Sequence, residues 1–309
     1  MSVSVVFQQM VMMFLLMGLG FFLAKKRVFS AKAPKDLSKM IAEVCNPALI
    51  ICSAFEEGGT ATERDLLFAA LIAVIYYAIL IGIGYVIPRV IHAKKSEVKF
   101  YRMLSVYSNI GFIGIPVISA VMGGGAIIYL TVFIIVFNLL IYTHGIKVLT
   151  GEGKESKSKL EWRRMINPGT MASVIAITLF LSDITFPKML EDTLVYVGRC
   201  TTFLSMAAIG MVLAGISLRT LFSVRKLYAF AAIRYILIPV VAAFCLKPIL
   251  TNELLLGVTI LTLALPAGNL PLILAEQYNV ETELLAKGTV LTTILSIISL
   301  TVASWVLLL

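Results

Sequence analysis

Long apolar runs dominate this chain and limit the folds that it can adopt. Runs of about 20 residues recur along it between short polar loops, and a helix of that length spans the hydrocarbon core of a bilayer. Hydrophobic residues make up 60% of the chain and charged residues only 14%, whereas soluble domains are about 45–50% apolar and about 25% charged. The sequence therefore predicts an all-α integral membrane protein.

Ten spans fit the pattern, with boundaries that are soft by several residues. They cover roughly 3–23, 37–55, 66–87, 100–122, 126–149, 168–181, 190–218, 227–246, 254–275 and 284–308. The sixth is short for a full crossing. The first lacks the basic start and the small-residue cleavage site of a signal peptide, so we expect it to remain a helix.

The net charge of +9 is concentrated on alternate loops. Most lysine and arginine residues fall in 24–36, 88–102, 151–164 and 217–226. The positive-inside rule places such loops in the cytoplasm, which predicts a multi-pass protein of the cell (inner) membrane with both termini extracytoplasmic. Because this topology accounts for the charge, we expect the lipid bilayer and not nucleic acid as the partner.

The residues of metal and catalytic chemistry are sparse. The cysteines, Cys45, Cys52, Cys200 and Cys245, match neither a disulfide framework nor a zinc site and are expected to be free thiols of the core. Two histidines, His92 and His144, are expected near the cytoplasmic face in structural or surface roles. Because the sequence contains no Ser/His/Asp grouping, zinc motif or P-loop, we expect no enzyme, no metal and no cofactor.

A polar segment near the middle of the chain divides it into two halves. We expect a first five-helix repeat at 1–149, a cytoplasmic linker at 150–165 and a second repeat at 166–309. Because each half has an odd number of spans, the two halves face opposite ways across the bilayer, so the repeat is inverted. Inverted repeats with interrupted helices at corresponding positions are typical of secondary transporters.

The ninth span reads LALPAGNLPLILAEQYNV (263–280) and contains helix-breaking residues at membrane depth. The fourth span reads YSNIGFIGIPVISAVMG (107–123). Aligning Pro116 with Pro271 sets Gly111 against Pro266 and Gly114 against Asn269, so both spans are predicted to break near the bilayer centre. Non-helical backbone survives there only when it is buried in protein or lines a cavity. The alternative is a pair of proline kinks that serve packing alone.

Two breaks of opposite orientation bring half-helix ends together. The free N–H groups and positive dipole ends of half-helices favour an anion, to which the amides of Asn109 and Asn269 and the hydroxyl of Ser108 can donate. The candidate substrate-binding residues at these two breaks are Asn109, Ser108, Gly111, Gly114, Pro116, Pro266, Gly268, Asn269 and Pro271.

Charged residues inside spans are functional candidates. Glu43 is a candidate for proton coupling and Arg199 for attraction of an anion, with interfacial or snorkelling roles as the alternatives. For Arg234, snorkelling to the cytoplasmic face is the expected role. Small residues such as Gly18, Gly20, Gly82, Gly84 and Gly210 are expected to allow close helix packing.

The interrupted stretches resemble those of a known family. PAGNLPLILAEQYNV and NIGFIGIPVISAVMG resemble the ninth- and fourth-helix motifs of the auxin efflux carrier family. IRYILIP (233–239) resembles the arginine-to-proline stretch of its eighth helix. NPALI (46–50) resembles the proline break of its second helix, and this resemblance adds Asn46 and Pro47 to the candidate substrate-binding residues. The resemblance runs essentially end to end, and the short linker fits the compact prokaryotic type.

The resemblance implies a fold related to bile-acid sodium symporters. Spans 1, 2, 6 and 7 would form a scaffold, and spans 3–5 and 8–10 a mobile transport domain whose fourth and ninth helices cross at their prolines. Family members carry small organic acids, such as auxin, malonate or malate, and a homodimer is expected. Asn109 matches an asparagine that contacts the substrate carboxylate. Phe203 stands where the family has a seventh-helix proline, which puts a substrate contact at that helix in doubt. Thr201, Thr202 and Ser205 can still bond back to carbonyls and bend the helix.

The sequence as a whole predicts a secondary transporter of small carboxylates that works by elevator-type alternating access. Coupling to H⁺, coupling to Na⁺ and export driven by the membrane potential all remain open. The alternatives are a sodium-coupled cotransporter like the bile-acid symporters, and a membrane sensor that binds organic acids without moving them.

Overall fold

The structure is a computed structural model that describes residues 3–30, 32–55, 61–151, 166–182, 186–215 and 224–308. Within these ranges the chain is helical and contains no strand; a single antiparallel bridge pairs Ser108 with Ala267. The predicted all-α class is confirmed. The predicted linker at 150–165 falls almost entirely outside the described residues.

The helices of the first half are α1 (Val3–Lys25), α2 (Ala33–Met40), α3 (Asn46–Cys52), α4 (Glu63–Val90), α5 (Val98–Val106), α6 (Ile115–Met122), α7 (Gly125–Leu140) and α8 (Ile146–Thr150). Those of the second half are α9 (Pro168–Ser182), α10 (Lys188–Ala214), α11 (Arg225–Ala231), α12 (Ile238–Leu246), α13 (Glu253–Ala264), α14 (Leu270–Gln277) and α15 (Glu283–Leu308).

Several helical stretches have the length and composition of membrane spans. Among the described residues, five are long and apolar enough: Glu63–Val90, Gly125–Thr150, Lys188–Ala214, Arg225–Leu246 and Glu283–Leu308. Shorter apolar helices accompany them at Val11–Lys25, Ile110–Met122, Pro168–Ser182 and Glu253–Ala264. These helices support a multi-pass membrane protein, while the count of ten spans and the inverted relation of the halves stay predictions.

Three helices widen into a π turn two residues before a proline. The turns Ile41–Cys45, Ile110–Gly114 and Ala232–Leu237 precede Pro47, Pro116 and Pro239. A proline inside a regular α-helix clashes with the carbonyl of residue i−4, and one wider turn relieves that clash without ending the helix. The expected breaks at Pro47 and Pro116 are therefore wrong: the helix continues through both residues.

Helices α1 and α10 pack with their backbones in near contact. A Cβ atom added to Gly20 would lie 2.1 Å from Ala207 O, and one added to Gly210 would lie 1.9 Å from Met17 O. The expectation of close packing thus holds at Gly20 and Gly210. It is wrong at Gly18 and Gly82, where a Cβ would meet nothing within 4 Å.

Helix α10 runs without interruption past the position where a bend is expected. Phe203 is 44% exposed on its outer face, and the hydroxyls of Thr201 and Ser205 are buried with no hydrogen-bond partner among the described residues. The back-bonds to carbonyls by which Thr201 and Ser205 could bend this helix are therefore not formed among the described residues. Cys200 on the same helix and Cys245 on α12 are exposed, so the prediction of core thiols holds for Cys45 and Cys52 alone.

Candidate functional site

The fourth span is interrupted at residues 107–109. Helix α5 ends at Val106, and the π turn that leads into α6 begins at Ile110. Asn109 caps this turn, because its Oδ1 accepts a hydrogen bond from Phe112 N–H at 3.2 Å, the usual bond of an N-cap residue. The interruption thus lies at the start of the stretch in which the sequence predicts one.

The ninth span is interrupted at residues 265–269. Helix α13 ends at Ala264, Leu265 has extended backbone angles, and α14 begins at Leu270. Pro266 lies within this interruption, whereas Pro271 is already the second residue of α14. A proline is well tolerated in the first turn of a helix, where its missing N–H would have no intrahelical partner.

The two interruptions cross each other as an antiparallel pair. Asn109 N–H donates to Pro266 O at 2.7 Å, and Gly268 N–H donates to Tyr107 O at 2.8 Å. These bonds satisfy backbone groups that the interruptions free and that a membrane interior cannot solvate. We call the segments 107–109 and 266–268 the crossing.

The residues that pair at the crossing differ from those that the alignment of the two halves by proline matches. It sets Ser108 against Ala267, whereas matching Pro116 to Pro271 would set Ser108 against Leu263, about one helical turn away. The spans therefore do not cross at their prolines, apart from Pro266. In a π turn the carbonyl of Gly111 would accept from the N–H of residue 116, but Pro116 has no N–H. Asn46 Nδ2 donates to Gly111 O instead, at 3.1 Å.

Arg234 is buried behind the crossing. Its side chain is 0% exposed, with Nε 2.6 Å from Ser105 O and Nη1 2.8 Å from Leu263 O, and Nη2 lies 3.4 Å from Ser108 Oγ. These carbonyls belong to the last turns of α5 and α13, where the helix dipole is negative. The snorkelling role expected for Arg234 is wrong, because two helix C-termini satisfy the guanidinium inside the protein.

Hydroxyl groups of α15 support the ninth-span interruption. Thr292 Oγ1 accepts from Ala267 N–H at 3.1 Å, and Ser299 Oγ donates to Ala264 O at 2.8 Å. Thr289 Oγ1 lies 3.4 Å from Gly268 O. These hydroxyl residues and the contacts of Arg234 are not among the predicted site residues. The closely spaced threonines and serines at 289–299 are the sequence signal for the hydroxyl groups.

The crossing forms one wall of a cavity of about 480 Å³. The predicted site residues that line it are Asn46, Ser108, Asn109, Gly111, Gly268 and Asn269, together with Glu43. The other predicted residues do not line it: Gly114, Pro116, Pro266, Pro271, Pro47 and Arg199. Arg199 is exposed on α10. The structure thus brings together the polar members of the predicted set, while the prolines shape the backbone around them.

Charged and polar residues that the sequence analysis did not assign to the site also line the cavity. Lys35, Ser38 and Lys39 come from the start of the second span, on the same helical run as Glu43, and Asn138 and Asn167 approach from the fifth and sixth. The cavity therefore carries two lysines and one glutamate on a single helical run, and its polar wall at the crossing has amide and hydroxyl groups.

The chain also matches known proteins. The model of a family described as "Membrane transport protein" matches residues 5–304. An uncharacterized transporter of Methanothermobacter thermautotrophicus is 23% identical over 290 residues, 94% of each chain. Auxin efflux carrier components 7 and 3 of Arabidopsis thaliana are 29% and 28% identical over 135 residues, 42% of this chain.

The matched segment covers only 22% and 21% of these two plant proteins, so the likeness to them is partial. The match to the family model, in contrast, covers nearly the whole chain, and the family is one of membrane transporters, not of enzymes. A multi-pass helical chain whose interrupted helices cross beside a polar cavity is consistent with that assignment. This chain therefore belongs to the membrane transport protein family, the family of the auxin efflux carriers.

Proposed function

We propose that this chain is a secondary transporter of small organic carboxylates and that the cavity at the crossing is its substrate site. The observation that carries the proposal is the convergence of two half-helix starts, capped by Asn109 and preceded by Asn269, on one cavity. The first N–H groups of a helix lack intrahelical partners, and the positive dipole end favours an anion. At the fourth-span start, Ile110 N–H and Phe112 N–H already bond to Ser108 O and Asn109 Oδ1, so the donors left for a carboxylate there are Gly111 N–H and Asn109 Nδ2. A carboxylate can accept such bonds without needing a fixed positive charge in contact.

Long-range electrostatics support an anion at this position. Arg234 holds a full positive charge behind Ser108, and Lys35 and Lys39 line the cavity. The negative ends of α5 and α13 are turned towards Arg234 and away from the cavity. The electrostatic field at the crossing therefore favours an anionic substrate over a cation.

The transport mechanism that we propose is alternating access. The close backbone packing of α1 on α10 suits a rigid scaffold of spans 1, 2, 6 and 7. The crossing, Arg234 and the hydroxyls of α15 tie spans 4, 8, 9 and 10 into a second body. With the basic loops in the cytoplasm, the lysine-lined end of the cavity opens inward and both termini lie outside.

We also propose the cell membrane as the location and a homodimer as the assembly.

The test is uptake of labelled dicarboxylates, malonate and malate included, into liposomes that contain the purified protein, with proton and sodium gradients imposed in turn. We expect saturable uptake of at least one acid, and the gradient that drives it identifies the coupling ion. Tight binding without uptake under any gradient would favour the membrane sensor instead. Sodium-dependent binding would favour the cotransporter related to bile-acid symporters.

A matched pair of variants tests the site itself. Asn109 and Asn252 each cap a helix start through Oδ1, to Phe112 N–H and Leu255 N–H respectively, but only Asn109 lines the cavity. We expect Asn109→Ala to weaken carboxylate binding at least tenfold and Asn252→Ala to leave it unchanged. Equal affinities of the two variants would remove Asn109 from the site.

A further inference from the structure

A second pocket, of about 610 Å³, lies where α1 ends. The residues that follow α1 form one wall, Pro34 at the start of α2 contributes to another, and Met211, Ala214 and Gly215 at the end of α10 close the third. None of these residues lines the cavity at the crossing, so the two pockets are separate. The positive-inside rule predicts that this end of α1 faces the cytoplasm.

The charged side chains of this pocket are cationic. Lys25 and Arg27 line it, and Lys26 lies between them in the chain. All three residues are exposed, and within the described ranges no carboxylate forms an ion pair with any of them. The pocket therefore carries positive charge that the described part of the chain leaves without a counter-charge in contact.

The ammonium of Lys25 turns back along α1. Its Nζ lies 5.6 Å from the centre of the Phe21 ring, one helical turn earlier in the span. Lysines near the end of a span usually extend their charge towards water. Lys25 instead keeps its charge at the depth of the last turn of the span, where the headgroups of a bilayer meet the hydrocarbon.

Arg27 occupies a backbone position that favours glycine. Helix α1 ends in a Schellman motif, in which Arg27 N–H donates to Ala24 O and Val28 N–H donates to Leu23 O. The φ angle of Arg27 is 54°, in the left-handed region that glycine adopts without steric cost and other residues rarely adopt. Because backbone N–H groups already satisfy these carbonyls, the helix end itself does not explain an arginine there.

Exposed apolar side chains accompany the cations. Val28 and Phe29 line the pocket and are 58% and 51% exposed. Leu15, Leu19 and Phe22 are exposed as well, and their spacing forms a stripe along one face of α1 that leads to this end of the helix. A ligand that fits both features has an anionic head and hydrocarbon chains.

We propose that this pocket binds an anionic phospholipid of the cytoplasmic leaflet, with Lys25 and Arg27 donating to its phosphate and its acyl chains lying along the apolar stripe of α1. Basic pockets between spans on the cytoplasmic side bind anionic lipid headgroups, because lysine and arginine form charge-assisted hydrogen bonds to phosphate. A soluble phosphate has the same charge but no apolar part to contact Val28 and Phe29. The site lies on the proposed scaffold and does not depend on which acid is transported.

The experiment measures lipid binding to the purified full-length protein in detergent. Native mass spectrometry compares the retention of phosphatidylglycerol and phosphatidylcholine, and the melting midpoint is followed as each lipid is added. We expect phosphatidylglycerol to bind about ten times more tightly and to raise the melting midpoint, since a ligand that binds only the folded state stabilises it.

Two double variants that remove the same charge test the pocket. In Lys25→Gln/Arg27→Gln the preference for phosphatidylglycerol should fall to about one. In Lys94→Gln/Lys95→Gln, which removes two exposed lysines of the loop after α4, it should stay as in the wild type. Because both lipids meet the same variant, structural damage cancels in the ratio.

A single variant separates the side chain of Arg27 from its backbone. Arg27→Gly keeps the left-handed conformation, which glycine favours, so the end of α1 is retained. We expect phosphatidylglycerol to bind about five times more weakly, while the melting midpoint in phosphatidylcholine does not fall. Unchanged binding of phosphatidylglycerol by this variant would contradict the role of Arg27.

The remaining outcomes also overturn the proposal. Equal binding of the two lipids by the wild type would contradict it, as would a preference that survives the loss of Lys25 and Arg27. Equal losses in the two double variants would show that the overall charge attracts the lipid and not the pocket. Displacement of phosphatidylglycerol by glycerol phosphate would identify a site for a soluble phosphate. None of these results bears on the uptake of carboxylates, which tests the proposed function separately.

Discussion

Arg234 Nη1 lies 2.8 Å from the carbonyl oxygen of Leu263, near the end of α13, and Nε of the same side chain lies 2.6 Å from Ser105 O, near the end of α5. One guanidinium therefore joins the two helices that end at the crossing. The planar fork of arginine can point donors at two separate carbonyls, which a single ammonium cannot reproduce.

Replacing Arg234 should loosen the crossing. Arg234→Met leaves two buried carbonyls without a donor, at a cost of about 1–3 kcal/mol each, partly offset because the buried charge and its desolvation are removed. We expect a melting midpoint several degrees lower in detergent and little uptake. Arg234→Lys should restore only part of both. Arg199→Met, on an exposed arginine of α10, is the control, and an equal effect there would contradict this role.

A side chain at Gly268 should push the crossing apart. A Cβ atom at this position would lie 3.0 Å from Ser108 O and 3.2 Å from Tyr107 O, and Tyr107 O accepts the bond from Gly268 N–H. Gly268→Ala is expected to cost about 1–3 kcal/mol, as overpacking does, and to lower uptake. Gly82→Ala on α4, where a Cβ meets nothing within 4 Å, should do neither. Wild-type uptake by Gly268→Ala would show that the crossing tolerates the extra volume.

Removing one hydroxyl of α15 should weaken the ninth-span interruption. Thr292→Val leaves Ala267 N–H without its acceptor, which is expected to cost about 1–3 kcal/mol. Within the described part of the chain, Thr301 on the same helix bonds to Ile297 O alone, so Thr301→Val should be nearly neutral. Thermal melting of both purified variants measures the difference. Indistinguishable melting midpoints would mean that Thr292 does not support the interruption.

The contact of α1 with α10 should not tolerate even a methyl group. Gly210→Ala places a Cβ 1.9 Å from Met17 O, so the helices must separate, and we expect a loss of about 1–3 kcal/mol. Gly18→Ala on α1 meets nothing within 4 Å and gains helix propensity of up to about 1 kcal/mol. Melting midpoints of the two variants should therefore move in opposite directions. A Gly210→Ala protein as stable as the wild type would contradict the close packing.

Local signals in the amino-acid sequence are enough to predict the class of the protein and the stretches that form the candidate site. Apolar runs of bilayer length have few alternatives to membrane helices, and the polar and helix-breaking residues at 107–116 and 266–271 mark where regular helix is least stable. Ser108, Asn109, Gly111, Gly268 and Asn269 are predicted from such local signals and Asn46 from the family resemblance, and all six line one cavity.

The register of the crossing and the hydrogen-bond partners of Arg234 depend on how the spans pack against one another. Matching the prolines in the sequence sets Ser108 against Leu263, but the crossing pairs Ser108 with Ala267. The two differ because a proline marks a position where a missing N–H is tolerated and not the position where the helix stops. Whether Arg234 snorkels to headgroups or is buried depends on which carbonyls lie within its reach, and these lie 29 and 129 residues away in the chain. Local sequence carries no information about contacts between residues so far apart in the chain. The burial of Arg234 between two helix ends can therefore be recognised only in the packed structure.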